Sequence, residues 1–126
     1  MLYEMNSTKS LEQIDAALRD SAARNKFGVI TVHDLQATMK NKGVEFSKAC
    51  MIYEVCNPHQ AKKALESNGA VSTALPCRIS VYEVPGGYQI ATLLPTVLMK
   101  MFGNPELEPV AREVEDVVTQ MIRDAA

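Results

Sequence analysis

The chain has 126 residues, a formal net charge of −2, and 47% hydrophobic against 22% charged residues. That length suits one domain, 1–126, with a core that needs no cross-links. Scattered Lys and Arg give no basic stripe for nucleic acid or an anionic membrane, and with no Trp, three Phe and four Tyr there is no platform for stacking bases.

In chain order, residues 2–6 read as a first strand. Ser10 then reads as a helix N-cap, with Gln13 completing a capping box. Leu11, Ile14 and Leu18 follow at helical spacing, and Asn25 closes that helix. Residues 27–32 form a β-rich strand, and 33–42 a short helix stopped by Gly43. The strand over 48–56 alternates, with Ala49, Met51, Tyr53 and Val55 on one face and Cys50, Ile52, Glu54 and Cys56 on the other. Asn57 and Pro58 start a helix through Glu66 as N-cap and first helical residue. Strands 77–84 and 88–93 are joined by Pro85-Gly86-Gly87, a hairpin signal. A short apolar helix covers 96–102. Asn104-Pro105 then caps a long helix to about Asp124, with Leu107, Val110, Val114, Val117 and Met121 as its stripe.

Mixed hairpins and helices imply an α+β fold, an antiparallel sheet covered on one face by helices. The apolar run over 91–102 is interrupted by Thr92, Pro95, Thr96 and Lys100. It falls short of the roughly 20 residues of a membrane span. No secretory signal pattern opens the chain, and three cysteines do not make a disulfide framework. The expectation is a cytoplasmic protein with free thiols and no membrane contact.

The chemistry concentrates in Cys56-Asn57-Pro58-His59 and Leu75-Pro76-Cys77. A thiol at a helix N-terminus feels the positive end of the helix dipole, which favours thiolate. Cys56 is therefore a candidate nucleophile, with Cys77 as partner if their strands are neighbours. The plainer role for both is that of small buried hydrophobes. A short helix contributes only about 0.3–1 kcal/mol to thiolate stability. Cys50 lies about 20 Å from Cys56 along an extended strand and reads as structural. His59 makes a Cys-x-x-His spacing that Cys77 and His33 could extend to four metal ligands. Structural zinc sites show two tight ligand pairs, however, so no metal is assigned. Asp34 reads as a helix cap before a general base. The residues from Leu93 to Phe102 carry more apolar side chains than one core face needs, which suits a homodimer contact or the cover of a pocket lined by Tyr53, Tyr82 and Met101. No phosphate loop, dinucleotide fingerprint or Ser-His-Asp order is present, and no cofactor is expected.

Phe27-Gly28-Val29-Ile30-Thr31 with Asp34-Leu35-Gln36-Ala37-Thr38, then Tyr53-Glu54-Val55-Cys56-Asn57-Pro58, Ala64-Leu65, Leu75-Pro76-Cys77 and Val81-Tyr82-Glu83 before Gly86-Gly87 carry a resemblance. Together they resemble the bacterial and archaeal family numbered 302 among domains of unknown function, over nearly the whole chain from Ser10 onward. The resemblance implies a TATA-binding-protein-like arrangement, a curved antiparallel sheet with helices on one side. It does not import DNA binding, since function belongs to sites and not folds. Some relatives are encoded beside sulfur-carrier and rhodanese-like proteins. The leading expectation is accordingly a thiol-based sulfur-handling or redox accessory module using Cys56 with Cys77, with such proteins as partners. The alternative is a non-catalytic homodimer binding a small apolar ligand or a protein partner, with Asn57, His59, Tyr53, Tyr82 and Met101 as ligand contacts.

Overall fold

A computed structural model describes residues 1–126 and follows the element order read from the sequence. The strands are β1 (Leu2–Ser7), β2 (Gly28–Asp34), β3 (Cys50–Cys56), β4 (Cys77–Val84) and β5 (Gly87–Leu93). The helices are α1 (Leu11–Arg24), α2 (Leu35–Asn41), α3 (Pro58–Ser67), α4 (Pro95–Lys100) and α5 (Leu107–Ala125). A 3₁₀ segment, Gly69–Ala74, lies between α3 and β4 and was not expected.

Local chemistry explains most boundaries. At α1, Ser10 Oγ accepts from the Gln13 N–H at 3.2 Å and Gln13 Oε1 accepts from the Ser10 N–H at 2.9 Å, the reciprocal capping box. Asp34 caps α2 by accepting from the Ala37 N–H at 2.9 Å. The β4–β5 hairpin turns on Pro85 and Gly86, between the paired Val84 and Gly87. Gly86 takes φ +85°, the left-handed conformation that a Pro-Gly turn requires at its second central position. Two expectations need correction. α4 ends at Lys100, short of Phe102. α5 begins only at Leu107, with Glu106 in the cap position and no side-chain cap bond. Asn104 instead accepts from Asn68 Nδ2 at 2.9 Å, tying the start of the 3₁₀ segment to the approach to α5.

The five strands form one antiparallel sheet in the order β1-β5-β4-β3-β2. Helices α1 and α5 close one face. There Ile14, Leu18, Tyr53, Val55, Ile79, Val81, Ile90, Val118, Met121 and Ile122 make a common core. Each large apolar side chain buried this way contributes about 1.5–3 kcal/mol relative to exposure. The α5 stripe is rotated from the expected one: Ala111, Val118 and Ile122 are buried along with Leu107, Val114 and Met121, while Val110 and Val117 are half-buried. A second, smaller cluster of Ala64, Val71, Met99, Leu107 and Ala111 joins α3, the 3₁₀ segment, α4 and the start of α5. No helix is long and apolar enough to cross a membrane.

Candidate functional site

Side chains alternate along a strand, so the residues between the core positions emerge on the opposite face of the sheet. Cross-strand register then fixes their neighbours. Glu54 stands opposite Arg78, Ile52 opposite Ser80, and Cys50 opposite Tyr82 on the β3–β4 pair. Ser80 in turn faces Ala91 on β5, and Leu2 of β1 faces Leu93. Arg78, Ser80 and Tyr82 therefore form a row along β4, the middle strand of the sheet.

This face is not flat. At one end α4 and the segment entering β4 rise beside it, and the space between is a groove of about 510 Å³. Its floor is Ile52, Ser80, Tyr82 and Ala91; its walls include Leu75, Pro76 and Leu98, with Leu2 and Leu93 at the β1–β5 end. Arg78 is the one charged residue that lines it. Its Nε lies 3.5 Å from Glu54 Oε1, and His33 Nε2 approaches the same oxygen at 3.3 Å. The Glu54 side chain is 17% exposed, so this carboxylate is held between two basic groups beside the groove.

A second, smaller cavity of about 40 Å³ adjoins the groove. Leu75, Cys77, Pro95 and Met99 line both and so separate them. Cys56 and Cys77 both line the cavity, so the structure brings the two sequence-predicted thiols together. Neither has a lowered pKa. Burial pushes the Cys56 thiol above its ordinary value, and burial followed by the neighbouring Cys56 pushes Cys77 up to about 11. The expected depression at Cys56 is therefore corrected. The first N–H groups of α3 are taken by Asn57 Oδ1, which accepts from His59 N at 3.0 Å and Gln60 N at 3.2 Å. What reaches the sulfur is an apolar surround that disfavours charge. In the same cavity Gln60 Oε1 is buried without a hydrogen-bond partner, while its Nε2 donates to Glu113.

The family model described as "Domain of unknown function DUF302" matches residues 3–125. The chain belongs to the DUF302 family. A crystal structure of an uncharacterized conserved DUF302 protein from Bacillus stearothermophilus superposes with a TM-score of 0.93 at 28% identity, covering 99% of this chain and 98% of that one. No curated protein matches the chain.

The remaining predicted residues scatter over this DUF302 fold. Tyr82 lines the groove. Tyr53 does not: it is fully buried in the α1–α5 core, where its hydroxyl donates to Asp15 Oδ1 at 2.7 Å. Burial and that bond raise its pKa. Met101 is 69% exposed just beyond α4, outside the groove lining. The three residues thus do not enclose one pocket. His59 is exposed on α3, while Asn57 caps that helix and lines the small cavity. No group of three His, Cys, Asp or Glu side chains converges as a metal site. Cys50 is separate from the other thiols, its pKa raised by burial and then by Asp34. Sequence reading named Tyr82 but missed Arg78 and Ser80, its companions in the row. The signal was present as period-2 alternation on β4 against the core positions Ile79 and Val81, and only the strand order shows that the row is central.

Proposed function

We propose that this protein is a non-catalytic binding module that holds a small, largely apolar ligand in the groove on the open sheet face. The supporting observation is the groove itself. Its volume, about 510 Å³, falls in the range of small-molecule sites, which are mostly apolar with a few placed polar groups. Ile52, Leu75, Leu93 and Leu98 supply the apolar walls, while Ser80, Tyr82 and Arg78 supply the polar points. Hydroxyls and a guanidinium orient a ligand; they are not a poised acid–base pair.

The test is a titration of isotope-labelled protein with 1-decanol, a neutral apolar probe, followed by amide chemical shifts. Shifts centred on Ile52, Ser80, Tyr82 and Leu98, and lost in Ser80→Trp, support the reading. Absent shifts, or shifts scattered over α1 and α5, refute it. A homodimer belongs to the same proposal. Leu2 and Leu93, 54% and 43% exposed at the groove, and the exposed Met101 are apolar surface that a second copy would cover. Sedimentation velocity distinguishes the dimer from a monomer.

A second reading is a thiol-based sulfur-handling or redox module serving sulfur-carrier or rhodanese-like proteins. The shared cavity of Cys56 and Cys77 favours it; the raised pKa values oppose it. Alkylation of the native protein as a function of pH decides. Rapid modification of Cys56 at neutral pH supports the thiol module, and protection until unfolding refutes it.

A further inference from the structure

We infer that Arg78 is an anion anchor and that the groove takes an amphipathic monocarboxylate, with its carboxylate on Arg78 and its apolar body along Ile52, Leu93 and Leu98. The inference rests on the groove being the binding site and adds the chemical class of the ligand. Charge complementarity carries it. Arg78 is the single charged residue among those lining the groove. Its side chain is 64% exposed, and its only ionic partner, Glu54, lies at the Nε edge at 3.5 Å. Neither Nη is committed to an acceptor within the protein. A guanidinium held at Nε with both Nη groups open is arranged for two parallel bonds to a carboxylate, the geometry in which Arg exceeds Lys. Glu54 is itself flanked by His33, so an incoming anion need not displace it. The rest of the lining offers hydroxyls at Ser80, Tyr82, Thr73 and Thr92 and otherwise no polar side chain apart from the Cys77 thiol. The Thr92 hydroxyl already donates to the Arg78 carbonyl oxygen at 2.7 Å. The Thr73 hydroxyl likewise donates to the Ala70 carbonyl oxygen at 2.8 Å, so beyond its head group the ligand should be mostly apolar, with Ser80 and Tyr82 as the remaining polar points.

Calorimetric titration of the full chain with sodium decanoate, 1-decanol and decylammonium tests this. Decanoate should bind at least tenfold more tightly than decanol. Arg78→Gln should cost decanoate far more than decanol and so bring the two together, and Arg78→Lys should recover only part of the difference. Arg78 projects from the open face, and an unaltered thermal midpoint in Arg78→Gln shows that the fold is kept. Equal binding of decanoate and decanol, or an equal loss of both in Arg78→Gln, overturns the anchor while the groove reading stands. Tighter binding of decylammonium than of decanoate overturns the sign of the charge, with Glu54 then the dominant group. Failure of all three probes to bind overturns the inference and the groove reading together.

Discussion

Cys77 offers a quantitative test of how dry the wall between groove and cavity is. It opens β4 opposite Val55, packs against the main core and is flanked by cavity on both sides. Burial first, and the nearby Cys56 second, raise its pKa from 9.0 to about 11. A raised folded-state pKa means that the folded protein keeps the thiol proton longer than the unfolded chain does. The associated stability is fully present below the unfolded pKa near 9 and is lost as pH rises toward 11. A rise of about 2 in pKa corresponds to about 3 kcal/mol, since each factor of ten in proton affinity is about 1.4 kcal/mol. The chain carries other ionisable groups, so the quantity to measure is a difference. Urea unfolding of the native chain and of Cys77→Ala, both under reducing conditions, should be followed from neutral pH through that window. The alanine variant carries a pH-independent cost for the space it leaves. The advantage of the native chain over it should shrink by about 2 kcal/mol between pH 9 and pH 11, the rest of the roughly 3 kcal/mol being lost on either side of that window. A difference that stays level across this window would show that water reaches the sulfur in the folded state, and the account of Cys77 as desolvated would be wrong.

Three other outcomes follow from single contacts. Tyr53→Phe removes the 2.7 Å bond to Asp15 from a fully buried ring and should cost about 1–2 kcal/mol in denaturant unfolding, with the shape of the core preserved. Asn57→Ala deletes the α3 cap and the Nδ2 bond to the Lys26 carbonyl, and should lower stability by about 1 kcal/mol or somewhat more in the same assay. Gly87→Ala places a Cβ 2.2 Å from the Ser7 carbonyl oxygen, so β1 must move away from β5. Amide exchange should rise selectively along β1, and unchanged protection there would contradict the register.

Much of the fold was legible because its signals are local. Ser10 and Gln13, Asp34, and Pro85-Gly86 are each recognised by chemistry within a few residues, and each does what that chemistry predicts. The two-faced alternation of β3 was also legible, with Tyr53 and Val55 turning to the core. The 3₁₀ segment escaped because Gly69–Ala74 has no apolar period for a helix to bury. The site was less legible, since it depends on which strands become neighbours. Tyr53 and Tyr82 are both strand aromatics, yet Tyr53 pairs with Ile79 of the core face while Tyr82 pairs with Cys50 on the open one. Alternation places Tyr53 with Val55 and Tyr82 on the face opposite Ile79 and Val81, but which face is open depends on the helices that cover the other. Nor does a Cys at a helix start reveal whether the dipole or the apolar surround prevails; here the surround prevails.

The strand order has a consequence for how the chain reaches this structure. β1 pairs with β5, Ser7 Oγ donates to the Ala126 carbonyl, and Ser21 of α1 donates to Asp124 near the end of α5. Ile122 and Ala125 of α5 are wholly buried in the core that Ile14 and Leu18 begin. α1 or the β4–β5 hairpin can form from local sequence, but the core is not sealed until α5 packs back against α1 and β1. Closure therefore joins segments as far apart as Ser21 and Asp124, the class of topology that folds slowly for its size. Until then the apolar faces of β3 and β4 stay uncovered, and that interval is when the protein is most exposed to aggregation.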